Sequence, residues 1–404
     1  MSRKIYAALI LTNICVLTLS SQVTKRDSIQ ESMNMDAVYD RPFLTFDKFP
    51  VNLGGYLEAN SIYSIEDGLT EGLSFQARRL TLFVSASISK RIKFLTELEF
   101  EDGTKEIAIE FASMDIAFHP LLNLRGGIVL NPIGSFNQNH DGPKWEFVER
   151  PDVSTNLLPA TFSNAGFGLY GKTNRGDWTL GYEAYLTNGF DTSIIDNEEQ
   201  RKFLPAVKEN PSRFEENFSG RPLLNGKLAI KHPKLGEMGI SYMGGDYNRE
   251  EIDGLQVDTE TRRVDVLALD INTAIAKTGT KFIGEMAYIW VGVPDTFTQQ
   301  FGNRQMGFFV DIIQPILKTE IFDWENAILN LSLRTDYVDY NIGRFTQTDT
   351  KIGDDLIALT PALSFRPSPQ TVLRINYRYQ WQQDILNNPA SKTATWYFGF
   401  STYF

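Results

Sequence analysis

Residues 371–384 read TVLRINYRYQWQQD. Leu373, Ile375, Tyr377, Tyr379 and Trp381 alternate with Arg374, Asn376, Arg378, Gln380 and Gln382. A period of two puts the first set on one face of a strand and the second on the other. The end of the chain, TATWYFGFSTYF (393–404), repeats the pattern: Ala394, Trp396, Phe398, Phe400, Thr402 and Phe404 share a face. ILNNPASK between the two carries turn chemistry. Upstream, RIKFLTELEFED (91–102) opposes Ile92, Phe94, Thr96, Leu98 and Phe100 to Lys93, Leu95, Glu97, Glu99 and Glu101. DWTLGYEAYLTNG (177–189) does the same with Trp178, Leu180, Tyr182, Ala184 and Leu186.

Counted along 404 residues, such segments number about sixteen, each of roughly ten residues, the length a tilted strand needs to cross a bilayer. Pro315 and Pro361 interrupt two of them, so each must sit at a strand end or a bulge. The composition agrees with a β-rich fold: 12% aromatic, with 28 Phe and 16 Tyr. Apolar faces rich in Trp, Tyr and Phe near strand ends suit interfacial girdles, and rows of Glu, Lys and Arg on the other face suit a wet lumen. No linker divides the segments into separate sandwiches. The expected architecture is an all-β transmembrane antiparallel barrel of about sixteen strands.

The start of the chain fits that destination. Arg3 and Lys4 precede the apolar run IYAALILTNICVLTL, and Ser20, Ser21 and Gln22 follow it, as in a secretory signal. Residues 1–22 are therefore expected to be a signal peptide, 23–48 a polar periplasmic segment, and 49–404 the barrel. Cys15, the only cysteine, lies inside the signal, so the exported chain would carry no disulfide and no thiolate metal site. A formal charge of −11 argues against nucleic-acid binding.

GFGLYG (166–171) matches the spacing of a dinucleotide cradle, but no strand-to-helix junction surrounds it. The glycines read better as thin places in a curved sheet that another backbone approaches closely. RGD in the following turn is expected to be a solvated turn. His119, His140 and His232 lie far apart in sequence, so a histidine metal cluster would depend wholly on the fold. The ladder Glu97, Glu99, Glu101 has a spacing that a glycoside hydrolase could use, yet a solvated lumen face is the better explanation. A connection of more than thirty residues, 131–165, lacks alternation and holds Trp145, Phe147, Leu157, Leu158 and Phe162. A loop this long with this much apolar content is expected to fold inward and narrow the pore, with Lys144, Glu146, Glu149, Arg150 and Asp152 setting the local field.

The order FQARRLTLFVSASISKRIKFLTELEFEDG (75–103), ASMDIAFHPLLNLRGGIVLNPIG (112–134), FVERPDV (147–153) and GFGLYGK (166–172) resembles the phosphate-selective porin O and P family. That resemblance implies a sixteen-stranded outer-membrane barrel, usually trimeric, with an inward-folded third loop and no cofactor or catalysis. Terminal Phe404 resembles the signal read by barrel-assembly machinery. The chain departs from the family before loop 3, where Leu130 and Asn131 stand in place of a basic residue. Arg79, Lys93, Arg125, Arg374 and Arg378 are expected to line the pore beside Glu97, Glu99 and Asp115, a mixed ring that predicts weak selectivity. The function expected is passive diffusion of small hydrophilic solutes, anions such as phosphate among them. A plugged structural or adhesive barrel and a barrel-borne hydrolase are the alternatives.

Overall fold

Sixteen antiparallel strands, each paired with two neighbours, form a closed wall in the computed structural model, which describes residues 32–45, 50–197, 203–249, 251–252, 255–258, 260–294, 303–345 and 347–404. In chain order the strands are β1 (Val51–Glu66), β2 (Leu69–Ser87), β3 (Ile92–Glu101), β4 (Glu106–His119), β5 (Leu122–Leu130), β6 (Ser163–Arg175), β7 (Trp178–Thr187), β8 (Leu223–His232) and β9 (Gly236–Asp246). After a small external hairpin, β10 (Glu251–Ile252) and β11 (Leu255–Gln256), the wall continues with β12 (Arg263–Ala274), β13 (Lys281–Val291), β14 (Arg304–Ile321), β15 (Trp324–Asp339), β16 (Asp355–Ser368), β17 (Thr371–Gln382) and β18 (Ser391–Tyr403). The seam is β1 against β18, paired from Tyr56↔Tyr403 to Glu66↔Thr393, and the Phe404 amide donates to the Gly55 carbonyl at 3.0 Å. The signal reading of 1–22 falls outside the described residues.

Burial follows the alternation with its usual sense reversed. Arg374 and Arg378 are 1% and 7% exposed, whereas Leu373 and Ile375 between and beside them are 38% and 43% exposed. A sheet that hides arginine and shows leucine is built to face hydrocarbon outside and polar groups inside. Both described chain ends lie at the end of the barrel closed by short turns (88–91, 120–121, 176–177, 233–235, 275–280, 322–323 and 369–370). The opposite end carries the long connections, of which 131–162 and 188–222 are the largest.

Three departures from regular alternation have local causes. A register shift opposite Glu97 and Leu98 puts an extra residue into β4, so Glu110 turns inward beside Phe111 and both are buried. Pro315 lies at a register shift in β14, and the β16–β17 pairing skips the stretch around Pro361, because neither proline has an amide to give the ladder. In β6 the glycines of GFGLYG are thin places: a Cβ on Gly166 or Gly168 would overlap β7 backbone, and one on Gly171 would overlap Leu121. The expectation of a strand rather than a phosphate cradle holds.

The interior is not uniformly polar, which corrects the expectation of charged rows throughout. On β12 and β13 the inward residues Val264, Val266, Ala268, Ala287, Ile289 and Val291 are apolar, and they pack against Phe136, Trp145, Leu157 and Phe162 of the 131–162 connection. Phe190, Phe203 and Leu204 of the 188–222 connection, which includes a short helix (Phe203–Glu209), complete that cluster. Buried charged side chains are densest on β1–β5, β15 and β17, with Glu183, Lys227, Glu237, Asp270, Glu285 and Asp311 spread over β7–β14. Residues 32–45, expected as a periplasmic lead-in, are also inside: Met33, Met35, Ala37, Val38 and Arg41 are buried against the inner wall.

Gly127 gives a test of the wall. It sits at φ +119, and a Cβ there would overlap the Ala112 carbonyl of β4. Gly127→Val should cut the yield of folded, heat-modifiable barrel sharply, while Gly176→Asn, in an open turn, should leave it unchanged. Normal migration and yield for Gly127→Val would show that β4 and β5 can separate at no cost.

Candidate functional site

Loop 131–162 crosses the lumen from its anchor between β5 and β6 to the far wall. Arg374 on β17 donates to the carbonyls of Gly142 (3.1 Å), Trp145 (3.3 Å) and Phe147 (2.7 Å), while its other nitrogen meets Glu58 on β1 at 2.8 Å. Arg366 binds Glu146 at 2.7 Å and the Pro143 carbonyl at 2.8 Å, and Arg378 binds Asp152 at 2.5 Å. On the other side Glu285 of β13 accepts from the amides of Ser135 (2.6 Å) and Phe136 (2.9 Å) and from Ser154 (2.6 Å). An arginine fork suits this work, because its fixed donors reach several carbonyls at once. Loop 131–162 is thus folded into the lumen, held by ties to β13 and β15–β17, with further ones to Glu183 of β7 and Lys227 of β8.

The lumen-facing residues expected from the sequence fall into four groups. Arg79 joins Glu58 (3.3 Å), Glu99 (3.3 Å) and Glu101 (2.6 Å). Asp115 and Arg125 pair at 2.8 Å, and Arg125 also reaches Glu183 at 3.4 Å. Glu97 pairs with Arg41 at 2.6 Å and accepts from His140 at 3.2 Å. Arg374 and Arg378 hold the loop as described. Lys93 is the exception: it is exposed at the turn end of β3, in register with Asp115 but outside these networks.

All three carboxylates of the Glu97–Glu101 ladder are therefore engaged by arginine. Glu97, His140 and Asp141 do converge, with ligand atoms within 4.8 Å of one another. Arg41 already occupies that cluster, binding Asp141 at 2.5 Å as well as Glu97. Burial pushes the Asp141 carboxyl up, but Arg41, Lys144 and His140 outweigh it and hold it well below the usual range. A lowered carboxyl keeps its pair at every pH above the unfolded value, and loses it only as pH falls through the folded one, so this contact persists through neutral and mildly acid conditions.

Sequence reasoning did not single out Arg41, Glu58, Glu183, Arg334 or Asp311. Arg334 is clamped bidentately by Asp311, 2.7 Å on each arm, and its guanidinium lies 4.2 Å over the Phe147 ring. Glu58 and Arg334 stand at alternating positions of their strands and were legible by the same period as Arg374. Arg41 carried no such signal.

Two polar cavities flank the loop. The loop-end cavity, about 380 Å³, is lined by Arg78, Arg79, Arg150, Lys208 and Arg378 against Glu101, Glu149 and Asp152. The turn-end cavity, about 1020 Å³, has Lys144, Lys231, Lys281, Lys318 and Arg366 against Glu146 and Glu237. Cations outnumber carboxylates in both, although the chain as a whole is acidic. Arg150 lines the loop-end cavity, and its Nη2 is buried without a hydrogen-bond partner among the described residues.

No family model matches the chain. It is 25% identical over 370 residues to an uncharacterised protein of Aquifex aeolicus, covering 86% of this chain and 80% of that one. Its fold is similar to an anion-selective porin from Comamonas acidovorans (12% identity, TM-score 0.54, 88% of this chain and 99% of that). It is also similar to OmpF of Salmonella typhi (10% identity, TM-score 0.55, 88% and 97%). The shared feature is the porin barrel itself, sixteen antiparallel strands closed on themselves.

The Arg334–Asp311 clamp predicts a measurable stability. Arg334→Ala strands a buried carboxylate and should cost about 3 kcal/mol in urea unfolding from lipid vesicles, with much of the loss recovered in the double variant Arg334→Met, Asp311→Leu. Equal stability of the single variant and the parent would place the loop's anchorage elsewhere.

Proposed function

We propose that the chain is an outer-membrane diffusion channel for small hydrophilic solutes, weakly favouring anions. The observation that carries this reading is the charge of the two cavities, each richer in cations than in carboxylates, inside a closed barrel. Charge in a narrow, partly dehydrated pore biases which ion enters. The likeness in fold to the anion-selective porin of Comamonas acidovorans is in keeping with it. Phosphate lies within the class of solutes favoured. The arginines do not form a free phosphate ladder: Arg79, Arg125, Arg374 and Arg378 are each tied to carboxylates, and among the buried nitrogens of the described arginines Nη2 of Arg150 and Nε of Arg374 are left without a hydrogen-bond partner.

In this reading residues 1–22 direct export, Phe404 closes the seam under the guidance of the assembly machinery, and three copies associate in outer-membrane lipid. The loop end faces outward and the turn end the periplasm, as in other outer-membrane barrels. A second reading, a plugged structural barrel, is favoured by one observation: the two cavities share no lining residue, and Phe147, Glu58 and Arg374 between them are buried.

Planar-bilayer conductance of the refolded protein tests the proposal. Ohmic steps with an anion-favouring reversal potential are expected in a salt gradient, and Arg150→Glu should move that potential toward cations. A cation-favouring parent would transfer control to Glu101, Glu149 and Asp152, and silence from a folded barrel would favour the plug.

A further inference from the structure

We infer that residues 33–44 are a removable plug of the periplasmic mouth, latched to the barrel interior by Arg41; the inference rests on the channel reading above. The segment enters at the turn end and fills the space between loop 131–162 and the wall of β2–β9. Its ties are polar and spread along its length. The Asn34 amide donates to Glu237 at 3.0 Å, Asp36 pairs with Lys172 at 2.6 Å, the Ala37 carbonyl accepts from Lys144 at 3.0 Å, and the Tyr39 hydroxyl donates to Asp115 at 2.5 Å. Arg41 closes the set, spanning Glu97 of the wall and Asp141 of the loop while stacking 4.0 Å over the Phe83 ring.

The wall is shaped to receive this segment. A Cβ on Gly181 would press on the sulfurs of Met35 (2.8 Å) and Met33 (3.2 Å), and one on Gly54 would meet the Pro42 carbonyl at 2.6 Å. Inward glycines at both places let the segment lie against bare backbone.

Its grip differs in kind from that of the loop. Loop 131–162 is locked into an apolar cluster that runs from β9 to β15, whereas Val38 of the segment shares a small one with Leu95, Phe111 and Leu130. Apolar burial of the larger kind holds by area, about 25 cal/mol per Å², while the segment's ion pairs, with Arg41, Glu97 and Asp141 fully enclosed, must exchange for water together as the segment leaves and the lumen fills. The segment is therefore the part of the lumen contents that can leave with the barrel intact.

Its departure would uncover Glu97, Asp115 and Arg125. Glu97 is four residues from Glu101, which lines the loop-end cavity, so about 13 Å of strand rise separates the uncovered space from the outer vestibule. The plug and the latch are thus placed on the short route between the two cavities.

A reversible lock tests this in the full chain. In a Cys15→Ser background, Val38→Cys with Leu95→Cys places one thiol on the segment and one on the wall residue of the same buried cluster. Oxidation, or a short bis-maleimide, ties them, with closure scored by loss of free thiol and folding by heat-modifiable migration. The expected result is a severalfold lower conductance when tied, restored by dithiothreitol after oxidation, with Arg41→Gln raising the open fraction of the untied protein. Equal, non-zero conductance in tied and untied states would overturn the plug while keeping the channel. Silence in both states, from folded barrels, would overturn the channel reading and the plug together.

Discussion

A backbone amide facing hydrocarbon has no water to bind, so every strand in a bilayer must find partners on both sides. The seam between β1 and β18 meets that demand for the first and last strands, and eleven paired positions from Tyr56↔Tyr403 to Glu66↔Thr393 leave no open edge there. Closure also creates the interior. Once the wall is a ring, alternate side chains of every strand are forced into one shared space, and what occupies that space follows from their charge. Arginine and carboxylate face each other across it because each is costly to bury alone.

The loop and the N-terminal segment fill this space by different physics. Apolar residues on β12 and β13 give the loop one greasy wall to lie against, and Arg366, Arg374 and Arg378 draw it across to the other side. The consequence is an asymmetric lumen, with dense packing in one half and a network of ion pairs in the other.

Much of this was legible in the sequence. Alternation at Leu373–Gln382 and Ile92–Glu101 placed the strands and their faces, and the apolar content of 131–165 foretold an inward loop. The same rule failed at Glu110, where a bulge adds a residue and turns a carboxylate inward that strict alternation assigns to lipid. It failed again on β12 and β13, where Val264, Val266, Ala287 and Ile289 face in, because apolar on both faces has no preferred side until a loop arrives to cover one. Arg41 could not be found by period at all. It lies in a short polar stretch with no repeat, and its role comes from Glu97 and Asp141, 56 and 100 residues away.

Sequence distance also has a bearing on how the molecule is made. Gly142 and Phe147 of the crossing loop are held by Arg374, 232 and 227 positions further along the chain. A polypeptide delivered in order presents this loop long before the arginines that fasten it exist. Contacts of such long range form slowly, since a large loop of chain must close before they repay its entropy. Trp145 and Phe162 must therefore wait exposed until β12 and β13 arrive, and Phe147 until Arg374 of β17 does, and the interval is one in which the unfinished chain depends on an escort to keep it from aggregating.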